Sequence, residues 1–206
     1  MNATKPKPEG GQLVPLRRLD ERRAAVSDIS DEALLAACGV GDTAALGALF
    51  DRHHDAVYRL LSRLLRSEPD EIDDLVQLTF LEVWRSAKRY RGRGAVRSFL
   101  LGIAANVVRH HVRGAARRRA ALVDVPAPAC SGAPDAVAMR AQLVQRLAIA
   151  LAQLPLDLRA AYVLCDLEDI PGVEAARVLG IRAGTLWRRL HEARRALREA
   201  IDGGAR

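Results

Sequence analysis

Val173-Glu174-Ala175-Ala176-Arg177-Val178-Leu179-Gly180-Ile181, continued by Gly184-Thr185-Leu186, is the stretch that decides the architecture. Its apolar spacing is that of a short helix, and Ala176 is small where two helices must cross closely. Gly180 accepts the positive φ that a sharp turn demands, and Ile181 plugs the angle between the helices. Thr185, with Gly184 before it, opens a second helix that buries Leu186, Leu190, Ala193, Leu197 and Ile201. Trp187, Arg188, His191, Glu192 and Arg195 are left on the opposite face, a set able to reach phosphates and base edges. The pattern is a helix-turn-helix.

The rest of the chain agrees with an all-α fold. Of 206 residues, 50% are hydrophobic and only 4% aromatic, so the cores are aliphatic, built mostly from Leu, Val and Ala. Ala, Leu, Arg and Glu lose little on entering a helix. No apolar run approaches the 18 or so residues of a membrane span, and no signal-peptide core opens the chain. The expectation is a cytoplasmic protein without membrane insertion. Three cysteines far apart do not make a disulfide framework.

Moving outward towards the N-terminus, periodicity predicts helices at about 135–153, 157–168, 172–179 and 184–201. These form a small second domain over 135–206. Residues 120–134, with Pro126, Pro128, Gly132 and Pro134, read as a flexible linker. Before it, a first domain over 28–119 opens with a short helix at Asp31 that ends around Gly39–Gly41. Asp42 caps a long helix with the stripe Leu46, Leu49, Phe50, Val57, Leu60, Leu61 and Leu64. Pro69 starts a third helix, whose stripe is Ile72, Leu75, Val76, Phe80, Val83 and Trp84. Tyr90–Gly94 is a loop, and a fourth helix carries Val96, Phe99, Leu100, Ile103, Val107 and Val108. Residues 1–27 read as a disordered leader.

Charge is segregated along the first domain. From Glu68 to Glu82 every charged residue is acidic, and from Arg85 to Arg119 every one is basic. A solvated face usually mixes signs. Two different partners would explain the division, a basic surface for the first run and nucleic acid for the second. Acidic and basic helices pairing within the domain is the plainer alternative. A second basic cluster, Arg182, Arg188, Arg189, Arg194, Arg195 and Arg198, lies near the C-terminus. With a net charge of +7, both domains fit phosphate neutralisation.

Several stretches together resemble the bacterial RNA polymerase sigma factors of the sigma-70 family, extracytoplasmic-function subfamily. They are Asp73-Asp74-Leu75-Val76-Gln77, then Thr79-Phe80-Leu81-Glu82-Val83-Trp84, then Ser98-Phe99-Leu100-Leu101-Gly102-Ile103-Ala104-Ala105-Asn106. Leu154-Pro155 with Arg159, and Gly184-Thr185-Leu186 through Arg189-Leu190 and Ala193-Arg194, complete the series. The resemblance implies an alternative sigma factor that directs promoter recognition, promoter opening and transcription initiation. It implies docking of Asp73, Asp74, Leu75, Gln77 and Leu78 on the clamp helices of the largest polymerase subunit. Tyr90, Arg91, Arg93, Arg97, Asn106, Arg109 and Arg113 would handle the minus-ten strand, where a flipped base needs a pocket and nearby cations. Arg182, Thr185, Trp187, Arg188, Arg189, His191, Glu192 and Arg195 would read minus-thirty-five DNA. The flap of the second-largest subunit and an anti-sigma factor are further implied partners. Three positions depart from the family pattern: Phe99 stands where Trp is usual, Ala175 where a bulkier aliphatic is, and Trp187 where Lys or Arg is.

The remaining residues carry no catalytic or metal reading. His53-His54, His110-His111 and His191, with Cys38, Cys130 and Cys165, fall in no ligand spacing. Cys38 and Cys165 read as small core residues. Asp73 and Asp74 diverge by about 100° on a helix, which is unsuited to a catalytic pair. No cofactor is expected, and the protein is not expected to be an enzyme. A stand-alone dimeric helix-turn-helix regulator is the alternative function.

Overall fold

The computed structural model describes residues 29–65, 67–92, 94–119 and 136–202. The expected leader and linker, and Arg93 and Cys130 with them, lie outside these residues. Helix α1 spans Asp31–Gly39, and the Ser30 hydroxyl accepts from the Ala33 amide. Helix α2, Thr43–Leu64, is capped by Asp42, whose carboxylate accepts from the Ala44 and Ala45 amides at 2.9 and 3.3 Å. These caps satisfy amides that the helix itself leaves unpaired. Asp31 pins α1 to α2 through Arg52 and His53, each at 2.7 Å. Burial pushes the Asp31 carboxyl up, but the hydrogen bonds from those two side chains outweigh it and hold the carboxyl below its usual value.

Helix α3, Pro69–Ser86, has its proline in the first turn, with Asp70 and Glu71 at the positive end of the helix dipole. It buries Ile72, Leu75, Val76, Phe80 and Val83, and Phe80 meets Phe50 of α2 with ring centroids 4.8 Å apart. A 3₁₀ turn at Ala87–Arg89 leads into the loop, and α4 spans Val96–Arg119. α4 buries Val96, Leu100, Leu101, Ala104, Ala105, Val107 and Val108. Phe99 and Ile103, expected in that core, are only partly covered.

The second domain consists of α5 (Ala136–Gln153), α6 (Leu156–Tyr162), α7 (Gly172–Val178) and α8 (Ala183–Asp202). The helix expected to run through 157–168 changes pitch at Val163–Leu167, where it widens to a π turn. There the Glu168 amide reaches back to the Val163 carbonyl at 3.0 Å, and Asp169 takes φ +54°. The extra residue swings Glu168 inward, and it is 5% exposed. Insertions of this kind concentrate at functional sites. Gly180 takes φ +67° in the turn before α8. α8 starts at Ala183, two residues earlier than Thr185, the expected opener. Buried apolar residues form one continuous cluster from Leu34 in α1 to Leu197 in α8. Among the described residues there is no strand, and no helix is long and apolar enough to cross a membrane.

Candidate nucleic-acid interface

The residues singled out from the sequence fall on three surfaces. On α3, Asp73, Asp74, Gln77 and Leu78 point outward, because Ile72, Leu75, Val76 and Phe80 take the opposite side. Leu81 joins them, so two exposed leucines (40% and 50%) stand beside the carboxylates. Leu75 itself is 4% exposed and belongs to the core rather than to this face.

The second surface gathers residues of the loop and α4. Tyr90 tilts against Phe99 with centroids 5.3 Å apart, and its hydroxyl donates to the Gly94 carbonyl at 2.6 Å. Burial, and then Glu32 and Glu174, push that hydroxyl's pKa up. Arg91 and Arg113 are exposed. Arg97, Asn106 and Arg109, by contrast, face the second domain. Arg97 donates to the Glu168 carbonyl at 3.0 Å and pairs with the Glu168 carboxylate. The Asn106 amide donates to the Val178 carbonyl at 3.3 Å, and Arg109 to the Leu179 carbonyl at 3.2 Å. Arg109 also lies 3.8 Å from Asp157. The acidic run of α3 is paired through Glu71, 2.9 Å from His111 of α4, and through Glu82, 2.6 Å from Arg85 on its own helix. Between the domains lies a cavity of about 360 Å³, walled by Tyr90, Phe99 and Ile103 on one side and Glu174 and Val178 on the other. Phe99 and Ile103 are half-buried because they line it.

The third surface is α8. Leu186, Leu190, Ala193 and Leu197 are buried, and Arg182, Trp187, Arg188, His191 and Arg195 are exposed. Thr185 and Glu192 are half-buried, and Arg195 lies 3.8 Å from Glu199 on its own helix. Arg189 departs from the expectation. It is three residues after Leu186 and four before Ala193, so it flanks the buried stripe. There it donates to Asp157 at 2.7 Å, holding α8 against α6. Arg194 makes a two-pronged pair with Asp166 at 2.8 and 2.7 Å.

Three residues of consequence escaped the sequence reading. Gly172 lies under the Trp187 indole, where an added Cβ would come within 2.6 Å of the ring. Gly102 lies under Val178, where an added Cβ would be 2.3 Å from the valine Cβ. Glu168 sits at the π turn, and only that turn brings it in. Among the described residues, Cys38 is buried and Cys165 half-buried. Burial pushes the Cys38 thiol up to about 11, and the Cys165 thiol upward as well.

Two family models match the chain, sigma-70 region 2 over residues 49–118 and sigma-70 region 4 over residues 145–197. The ECF RNA polymerase sigma factor SigM of Mycobacterium tuberculosis is 37% identical over 169 residues, covering 82% of this chain and 83% of that protein. The ECF RNA polymerase sigma factor SigE of Mycolicibacterium smegmatis is 36% identical over 167 residues. The match covers 78% of this chain but spans only 64% of that longer relative. Among solved structures, CnrH in complex with the cytosolic domain of CnrY superposes with a TM-score of 0.60 at 26% identity. That match covers 84% of this chain and 97% of CnrH.

Proposed function

The chain belongs to the ECF sigma factors of RNA polymerase, and from that premise we propose that it works as an alternative sigma factor. It binds core polymerase and directs it to a class of promoters. The observation that carries this reading is the outward face of α3, where Asp73, Asp74 and Gln77 stand beside the exposed Leu78 and Leu81. Solvent-facing leucines framed by carboxylates suit a protein interface with an apolar centre and a charged rim. The clamp helices of the largest polymerase subunit are the partner we assign to it. Tyr90, Arg91, Asn106 and their neighbours then receive the opened minus-ten strand. The outer face of α8 reads the upstream element in duplex form.

In this role the protein catalyses no reaction itself and holds no cofactor. Its place is the bacterial cytoplasm, at the nucleoid. The flap of the second-largest polymerase subunit would seat the second domain, and an anti-sigma factor would keep the protein from polymerase. The deciding experiment mixes the purified chain with core polymerase on genomic promoter fragments. Transcripts with defined start points, absent when either component is left out, are expected. DNA binding to a palindrome without polymerase would instead support a free-standing regulator.

A further inference from the structure

We propose that Trp187 reads the C5 methyl group of a pyrimidine in the major groove of the upstream element, with Gly172 as the positioning residue that aims its indole. The proposal rests on the upstream-element role given above to the outer face of α8.

Among the described residues Trp187 is the one tryptophan, tyrosine or phenylalanine left exposed, at 51%. It lies near the start of α8, in the half of a recognition helix that enters the groove. Arg188 and Arg195 on the same helix, and Arg182 just before it, are exposed as well. Those cations supply the attraction to phosphate, and the uncharged ring stands among them. An indole has one donor and no acceptor, so it cannot make the paired hydrogen bonds by which arginine or asparagine singles out a base. Its chemistry suits an apolar contact. The apolar feature of the major groove is the pyrimidine methyl, which thymine and 5-methylcytosine both carry.

The direction of the ring is set from a second helix. A Cβ at Gly172 would lie 2.6 Å from both Cζ2 and Cη2 of the indole and 3.3 Å from Cε2. The six-membered ring therefore occupies the space that any other residue would fill. Gly172 has no positive φ, so the backbone itself would accept a side chain there, and the indole is what excludes one. Gly172 is in turn fixed where α7 begins. The Pro171 carbonyl accepts from the amides of Glu174 and Ala175 at 2.8 and 2.9 Å, and Ala175 and Ala176 are buried. The ring is thus seated before DNA arrives, and a preorganised side chain gives up little freedom on binding.

The test uses holoenzyme formed from core polymerase and the full chain. Its probes are duplex promoter fragments that this holoenzyme selects from a library randomised in the upstream element. In the best-bound fragment each thymine of that element is replaced in turn by deoxyuridine, which differs only by the missing methyl. Competition against the labelled parent should show one position where deoxyuridine weakens binding about fourfold, the worth of one methyl taken from water. Cytosine at that position should weaken binding too, and 5-methylcytosine should recover part of the loss. Trp187→Arg should bind thymine and deoxyuridine equally there. Gly172→Ala keeps the indole but displaces it, and alanine is the better helix former. Its preference for the methyl should fall in the same way, with helix content by circular dichroism unchanged. Equal binding of thymine and deoxyuridine at every position would overturn the proposal, and so would a cytosine that its methyl does not rescue. Discrimination that survives Trp187→Arg, or full discrimination in Gly172→Ala, would also overturn it. Loss of core-polymerase binding in Trp187→Arg would do the same, by placing the indole against protein. A holoenzyme that binds no fragment better than core polymerase alone refutes the sigma-factor reading itself, whereas methyl-independent binding refutes only this inference.

Discussion

At the scale of single residues, α8 shows how one helix divides its side chains between those held in contacts and those left exposed. Arg188 is exposed, while Arg189, one position on, is committed to Asp157. A rotation of about 100° per residue separates the two fates. Arg188 is therefore the arginine free to reach a guanine edge, with Glu192 one turn further on and Trp187 beside it. Arg188→Ala is expected to cost on the order of 1–3 kcal/mol in upstream-element binding and to relax preference at one position. Transcription from a library randomised across that element checks this. An unchanged selected sequence would mean that Arg188 serves only the helix surface. The indole of Trp187 rests on Gly172, so its direction is set by α7 rather than by α8 alone. Position 187 could be read as exposed from periodicity, whereas its seat could not, because Gly172 is fifteen residues away and on another helix.

At the scale of elements, α3 carries two independent codes. Ile72, Leu75, Val76, Phe80 and Val83 anchor it in the core, and Asp73, Asp74, Gln77, Leu78 and Leu81 remain outside. Because the faces are separate, charge reversal on the outer one should spare the fold. Asp74→Lys is expected to weaken binding to core polymerase at least tenfold, about 1.4 kcal/mol, with an unchanged thermal transition. A pull-down with core polymerase next to a melting curve tests both halves, and undiminished core binding would remove α3 from the docking role. The π turn after α6 shows the limit of reading elements from periodicity. Its one-residue insertion leaves Leu164 and Ile170 buried on either side of the bend, so the apolar pattern on each side looks ordinary. Glu168 then reads as a solvent-facing acid, although it is enclosed between two arginines of the first domain.

At the scale of the whole molecule, Arg159 joins what the sequence presents as separate domains. Its guanidinium donates to the carbonyls of Ala152 and Leu154 at 2.5 and 2.9 Å, closing the α5–α6 corner, and to Leu64 at the end of α2 at 2.6 Å. Arg159→Met keeps the length of the stem and leaves three carbonyls without this donor. It should cost about 2–4 kcal/mol of stability, since charge-assisted bonds to partly buried acceptors are the stronger kind. Urea unfolding at constant slope would register the loss, and a change below about 0.5 kcal/mol would assign Arg159 a surface role. By itself the sequence determined most of the helices, the cap at Asp42, the proline start of α3 at Pro69, the larger part of the buried stripes, the turn at Gly180 and the outward faces of α3 and α8. All of these follow from rules that act within a few residues, namely periodicity, capping and the sterics of φ. Only the tertiary structure decided that Arg97, Asn106 and Arg109 face Glu168, Val178 and Leu179, and that Gly102 is where the two domains touch. Those pairings join residues about seventy positions apart, where no local period couples them, and depend on how closely two finished surfaces can approach.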